Sequence, residues 1–147
     1  NTRVAECTNT GGFNASNRNG RSGGIAGQAM NSQITGCVNR AMVVADGTGD
    51  ANPANLGGLV GVLSKGSFMS DCRHYGVVYD RNYTSTTVWG GVAGVSVAGA
   101  TIDNCGFGGI YRKSIDSSNS TETAIKLSDI CGDTNFTGSG NSLWDGK

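Results

Sequence analysis

The chain has 147 residues, including 25 glycines, one proline and five cysteines, and eleven basic residues balance eleven acidic ones. This length fits one ordinary domain, and the even charge argues against nucleic acid or an anionic membrane surface as a partner. No apolar run approaches the roughly 18 residues of a membrane span. The sequence also lacks the charged start followed by an apolar stretch that would indicate a signal peptide.

A pentapeptide of the form Gly-Gly-apolar-small-Gly occurs three times, at a period of about 33 residues. The copies are GGIAG at 23–27, GGLVG at 57–61 and GGVAG at 90–94. Each is followed by a cysteine with an apolar residue three positions earlier, which gives the pairs Ile34 and Cys37, Met69 and Cys72, and Ile102 and Cys105. A fixed period of this length predicts a solenoid.

The cysteines also align the residues around them, starting from Cys7, which precedes the first glycine motif. The apolar column three residues before the cysteine contains Val4, Ile34, Met69 and Ile102. Four residues after it stand Gly11, Ala41, Gly76 and Gly109, and six after it stand Phe13, Val43, Val78 and Tyr111. Short alternating patterns around a small corner residue predict strands. No repeat contains an amphipathic helix, so the strands of successive repeats must pair directly and in parallel.

The fold class that these columns predict is all-β, a right-handed parallel β-helix of about four coils with about three short strands per coil. The combination of GGIAG or GGLVG, a short turn and apolar-x-x-Cys-x-Asn resembles the GLUG-type β-solenoid repeats of large surface and secreted proteins of bacteria and protists. The resemblance covers roughly residues 3–111. It implies an extracellular, repetitive stalk or adhesin that usually lacks catalysis.

Two regions are expected, solenoid repeats over 1–111 and an atypical segment over 112–147. Where a fourth glycine motif is due the chain reads TAIKL at 123–127, so the pattern is expected to end there and 112–147 to form an irregular C-terminal cap or a subunit-contacting segment. The first cysteine rung begins at Val4 with almost nothing ahead of it. We expect this open end to be covered by preceding repeats or by another copy, and a head-to-tail contact between copies would generate a filament.

The cysteines have two interpretations. Cys7, Cys37, Cys72 and Cys105 occupy one column, which predicts a ladder of small buried side chains. Neighbouring rungs also bring α-carbons within disulfide range, so Cys7 with Cys37, Cys72 with Cys105, or Cys131 back to the ladder are alternative bonds. A zinc site is not expected, because the chain contains no CxxC pair.

Neither the single histidine nor the acids suggest catalysis. His74 stands two residues after its cysteine, where the other repeats carry Asn9, Asn39 and Phe107, so a structural role is expected. Glu6 and Asp71 share a column in repeats that are not adjacent, and clustered carboxylates of the kind used by β-helical glycosidases are therefore not expected. No catalytic residue, metal or cofactor is predicted.

Two surface features point to carbohydrate. Tyr79, Tyr83 and Trp89 fall in one stretch and are candidates for stacking against sugars. Asn-x-Ser/Thr sequences occur at Asn14, Asn82, Asn119 and Asn135, and the first three lie where the chain is expected to loop outward on one side.

The sequence thus predicts a non-enzymatic extracellular structural or adhesive module. Its expected partners are other copies or neighbouring repeats, stacked end to end, with glycans as a second class. A carbohydrate-binding module and a carbohydrate-active β-helix enzyme remain the alternatives.

Overall fold

A computed structural model describes residues 1–11, 13–15, 20–45, 55–80, 88–108, 111–114, 120–123, 127–133 and 135–143. Within these ranges the strands form five sheets, and every strand pair but one is parallel. The chain is therefore an all-β parallel β-helix, as the repeat columns predict. No helix in the described ranges is long and apolar enough to cross a membrane.

Three complete coils stack on one another, and each contains five strands. The first coil comprises Thr2–Ala5 (β1), Thr8–Asn9 (β2), Phe13–Ala15 (β3), Arg21–Gly23 (β4) and Ala26–Ala29 (β5). The second comprises Ser32–Thr35 (β6), Val38–Asn39 (β7), Val43–Ala45 (β8), Asn55–Gly57 (β9) and Val60–Leu63 (β10). The third comprises Phe68–Ser70 (β11), Arg73–His74 (β12), Val78–Asp80 (β13), Val88–Gly90 (β14) and Ala93–Ser96 (β15).

The fourth coil is irregular and a fifth layer is partial. Their elements are Ala100–Asp103 (β16), Gly106–Phe107 (β17), Tyr111–Ser114 (β18), Ser120–Thr123 (β19), the 3₁₀ helix Leu127–Ile130, Phe136–Thr137 (β20) and Ser142–Leu143 (β21). Strand β19 pairs antiparallel with β18. Strands β20 and β21 add a fifth layer to two sheets, so the segment after residue 111 continues part of the solenoid.

Corresponding strands of successive coils form the sheets. Sheet 1 has the order β1-β6-β11-β16-β20, sheet 2 β2-β7-β12-β17-β21, and sheet 3 β3-β8-β13-β18-β19. Sheet 4 has the order β4-β9-β14 and sheet 5 β5-β10-β15. The long connections, from sheet 3 to sheet 4, all leave at the same corner of the coil, where the sequence predicts outward loops.

The coil has five strands rather than the expected three, because a sharp corner separates the strands of sheet 2 from sheet 1 and the glycine motif separates sheet 4 from sheet 5. The residues just before the cysteine column all have positive φ: Glu6, Gly36, Asp71, Asn104 and, in the fifth layer, Gly140. A second column of positive φ, between sheets 5 and 1, contains Asn31, Gly66 and Gly99. The first corner separates sheet 1 from the two-residue strands of sheet 2, which are too short to show an alternating pattern.

The repeated glycines serve close approach between backbones and side chains. A Cβ on Gly57 would lie 1.9 Å from the Val60 carbonyl oxygen, one on Gly58 2.2 Å from His74 Cδ2, and one on Gly61 2.5 Å from the Ser22 nitrogen. None of these three glycines has a positive φ. The motif therefore lets the chain fold tightly on itself and lets sheets 4 and 5 pack face to face.

The core consists of apolar columns that run along the solenoid. Val4, Ile34, Met69 and Ile102 stand in register in sheet 1. At the glycine motif, Ile25, Leu59, Val92 and Ile130 follow one another through the hydrogen bonds Ile25 N to Leu59 O, Leu59 N to Val92 O and Val92 N to Ile130 O, each 2.9 Å long. Ile34, Leu59, Met69, Val92 and Ile102 are fully buried, so each coil covers the apolar face of the one before it.

A fourth, altered glycine motif lies at 128–132, SDICG, rather than at 123–127, of which residues 124–126 lie outside the described ranges. Ile130 continues the apolar column, Cys131 bridges Ala93 in parallel, and the Gly132 nitrogen donates to the Gly94 carbonyl at 3.0 Å. The motif comes late because the β18–β19 hairpin lengthens this repeat. The expectation that the pattern ends after Gly94 is therefore wrong.

Candidate functional site

Four cysteines form a ladder at the corner between sheets 1 and 2. Cys7, Cys37, Cys72 and Cys105 each follow the positive-φ corner of their coil, and only Cys7 is exposed. All five cysteines of the chain are free thiols. Cys131 lies in a different column, beside Ala93 of sheet 5, with its Sγ 3.3 Å from Asp133 Oδ1. Cys131 is therefore not a member of the ladder column.

The thiols of Cys37 and Cys72 make polar contacts with the coil before their own. The Cys37 backbone nitrogen donates to Cys72 Sγ at 3.3 Å, and Cys72 Sγ donates to the Ile34 carbonyl at 3.6 Å. One coil earlier, Cys37 Sγ lies 3.9 Å from the Val4 carbonyl oxygen. The column is thus a hydrogen-bonding ladder between coils as well as the packing column that the sequence predicts.

Asn141 ends this ladder in the fifth layer. Its Oδ1 accepts a hydrogen bond from the Cys105 nitrogen at 2.9 Å, and its Nδ2 donates to the Ile102 carbonyl at 2.8 Å. The Asn141 amide therefore makes the same two contacts with the preceding coil that the Cys72 thiol makes, one with a cysteine backbone nitrogen and one with an isoleucine carbonyl. Sequence alignment on cysteine alone could not identify it, although Gly140 immediately before it matches the corner glycine Gly36.

The thiols of Cys37, Cys72 and Cys131 are uncharged at neutral pH, whereas the hydrogen bond with the Cys72 thiol lowers the pKa of Cys105. Burial raises the pKa of Cys37 and raises that of Cys131 to about 12. The pKa of Cys72 is raised first by its hydrogen bond with the Cys105 thiol and second by burial. Because the thiolate is the nucleophile and the metal ligand, Cys37, Cys72 and Cys131 are poor nucleophiles at neutral pH.

His74 occupies a buried structural position. It is 1 % exposed, its Nδ1 lies 3.1 Å from Asn39 Nδ2, and its Nε2 has no hydrogen-bond partner in the described part of the chain. Burial lowers the pKa of His74 to about 4. It is in register with Asn39 and Phe107 in sheet 2, as the sequence columns predict.

The acids at the cysteine corner serve the fold. Asp71 Oδ1 accepts a hydrogen bond from Asn104 Nδ2 at 2.6 Å, and Asp103 Oδ1 accepts one from the Ser139 nitrogen at 2.7 Å. Among the described residues, no group of three or more His, Cys, Asp or Glu side chains is placed to hold a metal ion.

Trp89 lies in a setting that the sequence does not reveal. It lines a hollow of about 310 Å³ together with Val88, Ser128, Asp129, Cys131, Gly132 and Asp133. Asp129 belongs to the altered fourth glycine motif, and Asp133 is the residue after that motif. Both line the same hollow as Trp89 because the fourth motif stacks on the third. Tyr79 is half-buried in β13 and does not line this hollow, and Tyr83 lies outside the described residues.

Of the four glycosylation sequences, the structure describes two. The Asn14 backbone lies in β3, next to the corner where the long connections leave, and Asn82 and Asn119 lie outside the described residues. Asn135 is exposed just before β20, and its nitrogen donates to Asp133 Oδ1 at 3.4 Å.

The two ends of the solenoid differ. In the described part of the chain, β1 to β5 each pair on one edge only, and the half-buried Val4 and Ile25 pack against the core beside those open edges. At the other end, an apolar hollow of about 390 Å³ is lined by Leu127, Ser128, Ile130, Phe136, Gly138, Ser139, Gly140 and Asn141.

Comparison with protein-family models, with curated proteins and with solved structures finds no match to this chain. Its function is therefore inferred from its own residues and their geometry.

Proposed function

We propose that this chain is a non-catalytic structural or adhesive module that acts outside the cell and joins other copies of itself head to tail. The observation that carries this proposal is the open edge of the first coil, defined as the outer edges of β1 to β5. All five strands present backbone groups without a strand partner there in the described residues. Such an edge is a template for further β-pairing.

A second copy fits this edge because the register runs through the whole solenoid. Sheet 1 pairs β1 through β6, β11 and β16 to β20, and sheet 2 pairs β2 through the corresponding strands to β21. Strands β20 and β21 are the last in their sheets, so β1 and β2 of a second copy can pair with them in parallel. Sheet 3 ends differently, because the antiparallel β19 covers β18.

The apolar surfaces at the two ends are also complementary. Gly138 follows Ile102 in the sheet 1 column and leaves its inward space free of a side chain, beside Ile130 and Phe136 in the apolar hollow. At the first coil, Val4 and Ile25 stand at the start of their columns. Head-to-tail stacking would bring Val4 of one copy over Gly138 of the next, and a contact of this type generates a filament unless it closes into a ring.

The extracellular location is supported by the resemblance of the motif columns to GLUG-type surface repeats. It is also compatible with the Asn-x-Ser/Thr sequences at the corner of the long connections, which would carry glycans only in a eukaryotic secretory pathway.

Val4→Lys tests the stacking proposal, with Val97→Lys as its matched control. Both changes replace a valine by lysine, but Val97 is 42 % exposed and belongs neither to the open edge of the first coil nor to the apolar hollow. Light scattering with size-exclusion chromatography over a concentration series, followed by electron microscopy, should show chains of copies for wild type and Val97→Lys and monomers for Val4→Lys. A wild-type protein that stays monomeric at every concentration, or equal behaviour of the two variants, overturns the proposal.

A second candidate function is carbohydrate binding in the Trp89 hollow. Trp89 lines this hollow together with Asp129, Asp133 and Ser128, so the lining combines an aromatic residue with groups that can hydrogen-bond to sugar hydroxyls. Titration with oligosaccharides followed by tryptophan fluorescence tests it. Trp89→Phe should abolish the response, and Trp144→Phe, which changes the other tryptophan of the chain, should retain it.

A further inference from the structure

We propose that Cys7 and Cys37 form a reversible disulfide that ties the first coil to the second, and that in the folded chain oxidation enters the thiol ladder only at Cys7. This inference concerns the redox chemistry of the unstacked chain, because a second copy on the open edge of the first coil would cover Cys7.

The fold places the two residues opposite each other. Ala5 pairs with Thr35 and Thr8 with Val38, so the intervening Cys7 and Cys37 occupy equivalent positions on adjacent parallel strands. Adjacent strands lie about 4.8 Å apart, within the roughly 4.4–6.8 Å that separates the α-carbons of a disulfide. The Val38 nitrogen also donates to the Cys7 carbonyl at 2.8 Å, which holds the two coils together at this position. The spacing of the α-carbons therefore allows a disulfide between these neighbouring coils.

Accessibility distinguishes this pair from the rest of the ladder. Cys7 is exposed, whereas Cys37, Cys72 and Cys105 are 0 % exposed. A soluble oxidant can therefore reach Cys7 and no other ladder thiol. Cys37 needs no access to solvent, because its reaction partner is the adjacent Cys7 sulfur.

The chemistry requires an external disulfide, here oxidised glutathione, as the oxidant. Cys7 loses its proton to solvent, and its thiolate attacks one sulfur of the oxidant. The S–S bond of the oxidant breaks, and one glutathione thiolate leaves and takes up a proton. A mixed disulfide between Cys7 and the other glutathione remains. The Cys37 thiol then loses its proton and its thiolate attacks the Cys7 sulfur, the mixed disulfide breaks, and a second glutathione thiolate leaves and takes up a proton. Two cysteine thiols are oxidised by two electrons, and one glutathione disulfide is reduced to two thiols.

The second step should be the slow one. Burial raises the pKa of Cys37, so little of it is thiolate at neutral pH. Closure of the protein disulfide should therefore accelerate as the pH rises from 7 to 9, with the mixed disulfide on Cys7 as a transient intermediate.

The test is thiol mapping of the full chain. Reduced, monomeric protein is incubated under native conditions with oxidised glutathione, blocked with iodoacetamide, unfolded, labelled with a second alkylating reagent and digested for mass spectrometry. The expected product has lost two hydrogen atoms, has Cys7 linked to Cys37, and carries label on Cys72, Cys105 and Cys131. The disulfide closes a loop of about thirty residues, so the melting temperature should rise by about 5–10 °C and return on reduction.

Three variants identify each step. Cys37→Ser should hold glutathione on Cys7, because the resolving thiol is gone. Cys7→Ser should slow native oxidation at least about tenfold, because the entry point is gone. Cys131→Ser, a change at a buried thiol outside the ladder, should oxidise like wild type. Circular dichroism confirms that each variant is folded, and the wild-type map decides the question if a variant is not.

Any of three oxidation products overturns the proposal. They are a mixed disulfide that persists on Cys7 in the wild type, a bond between copies through Cys7 on non-reducing gels, and oxidation of Cys72 with Cys105 while Cys7 stays reduced. Complete resistance of all five thiols to oxidised glutathione overturns it as well.

Discussion

The Nδ2 atom of Asn39 lies 3.1 Å from Nδ1 of His74, and both side chains are fully buried between neighbouring coils. Asn39 Oδ1 accepts from the Ala41 nitrogen at 3.0 Å, so the amide nitrogen of Asn39 is the donor toward the imidazole. An amide nitrogen cannot accept a hydrogen bond, so a proton on Nδ1 would have no acceptor there, and Nε2 has no partner in the described part of the chain. The neutral ring is the one that the fold accommodates.

This arrangement predicts that acid destabilises the protein through His74. The pKa of His74 is lowered to about 4 by burial, so the unfolded chain takes up a proton near pH 6.5 and the folded one does not. The free energy of unfolding should therefore fall as the pH falls from 6.5 to about 4. At pH 4.5 the loss should be about 2–3 kcal/mol, measured by urea unfolding.

His74→Asn is the matched control, since asparagine occupies this column at Asn9 and Asn39. Between pH 6.5 and 4.5 the free energy of unfolding of His74→Asn should fall by about 2–3 kcal/mol less than that of the wild type. Because the chain has one histidine, equal slopes for the two proteins between pH 6.5 and 4.5 would contradict the assignment.

Gly58→Ala should strongly destabilise the solenoid. A Cβ at this position would lie 2.1 Å from the Gly91 carbonyl oxygen and 2.2 Å from His74 Cδ2, and neither the backbone nor the buried ring can move freely. We expect a loss of about 3 kcal/mol in denaturant unfolding. Gly11→Ala is the control, because its Cβ would meet only Asn9 Oδ1 at 3.8 Å, and it should change stability by less than about 0.5 kcal/mol.

Asn141→Ala should weaken the C-terminal end of the ladder. The change removes the acceptor of the Cys105 nitrogen and the donor to the Ile102 carbonyl, at a cost of about 2–3 kcal/mol. Asn141→Cys should recover most of this loss, because a thiol makes the same two contacts at Cys72. Ser142→Ala, a neighbouring exposed position, should stay near wild type. If Asn141→Ala and Asn141→Cys have the same melting temperature, the thiols and the amide are not equivalent.

Glu6 should tolerate glycine better than alanine. Its φ is 54°, a left-handed conformation that glycine adopts without the penalty of a side chain, and Gly36 and Gly140 occupy the same corner. We expect Glu6→Gly to be more stable than Glu6→Ala by about 1 kcal/mol. Hydrogen exchange of the first-coil amides is the suitable measurement, because this coil lies at an open end. Faster exchange in the glycine variant would show that the corner is not strained.

Much of the fold could be predicted from the residues alone. The columns led by Val4 and Ile25 predict which side chains point inward, and the column shared by Asn39, His74 and Phe107 predicts that the histidine is structural. The corner residues were not predictable in the same way. Asp71 and Asn104 adopt positive φ although neither is glycine. Their side chains form a hydrogen bond of 2.6 Å between neighbouring coils.

The sequence by itself determined the repeat, its parallel stacking and its apolar columns. Apolar residues recur at the same positions of each repeat, and stacking the repeats in parallel is one of few ways to bury all of them. Only the tertiary structure decided where the fourth motif lies, which thiol is exposed and what sits beside Trp89. Those features depend on which coil stacks on which, and a hairpin inserted into one repeat shifts every later position out of the period that the sequence displays.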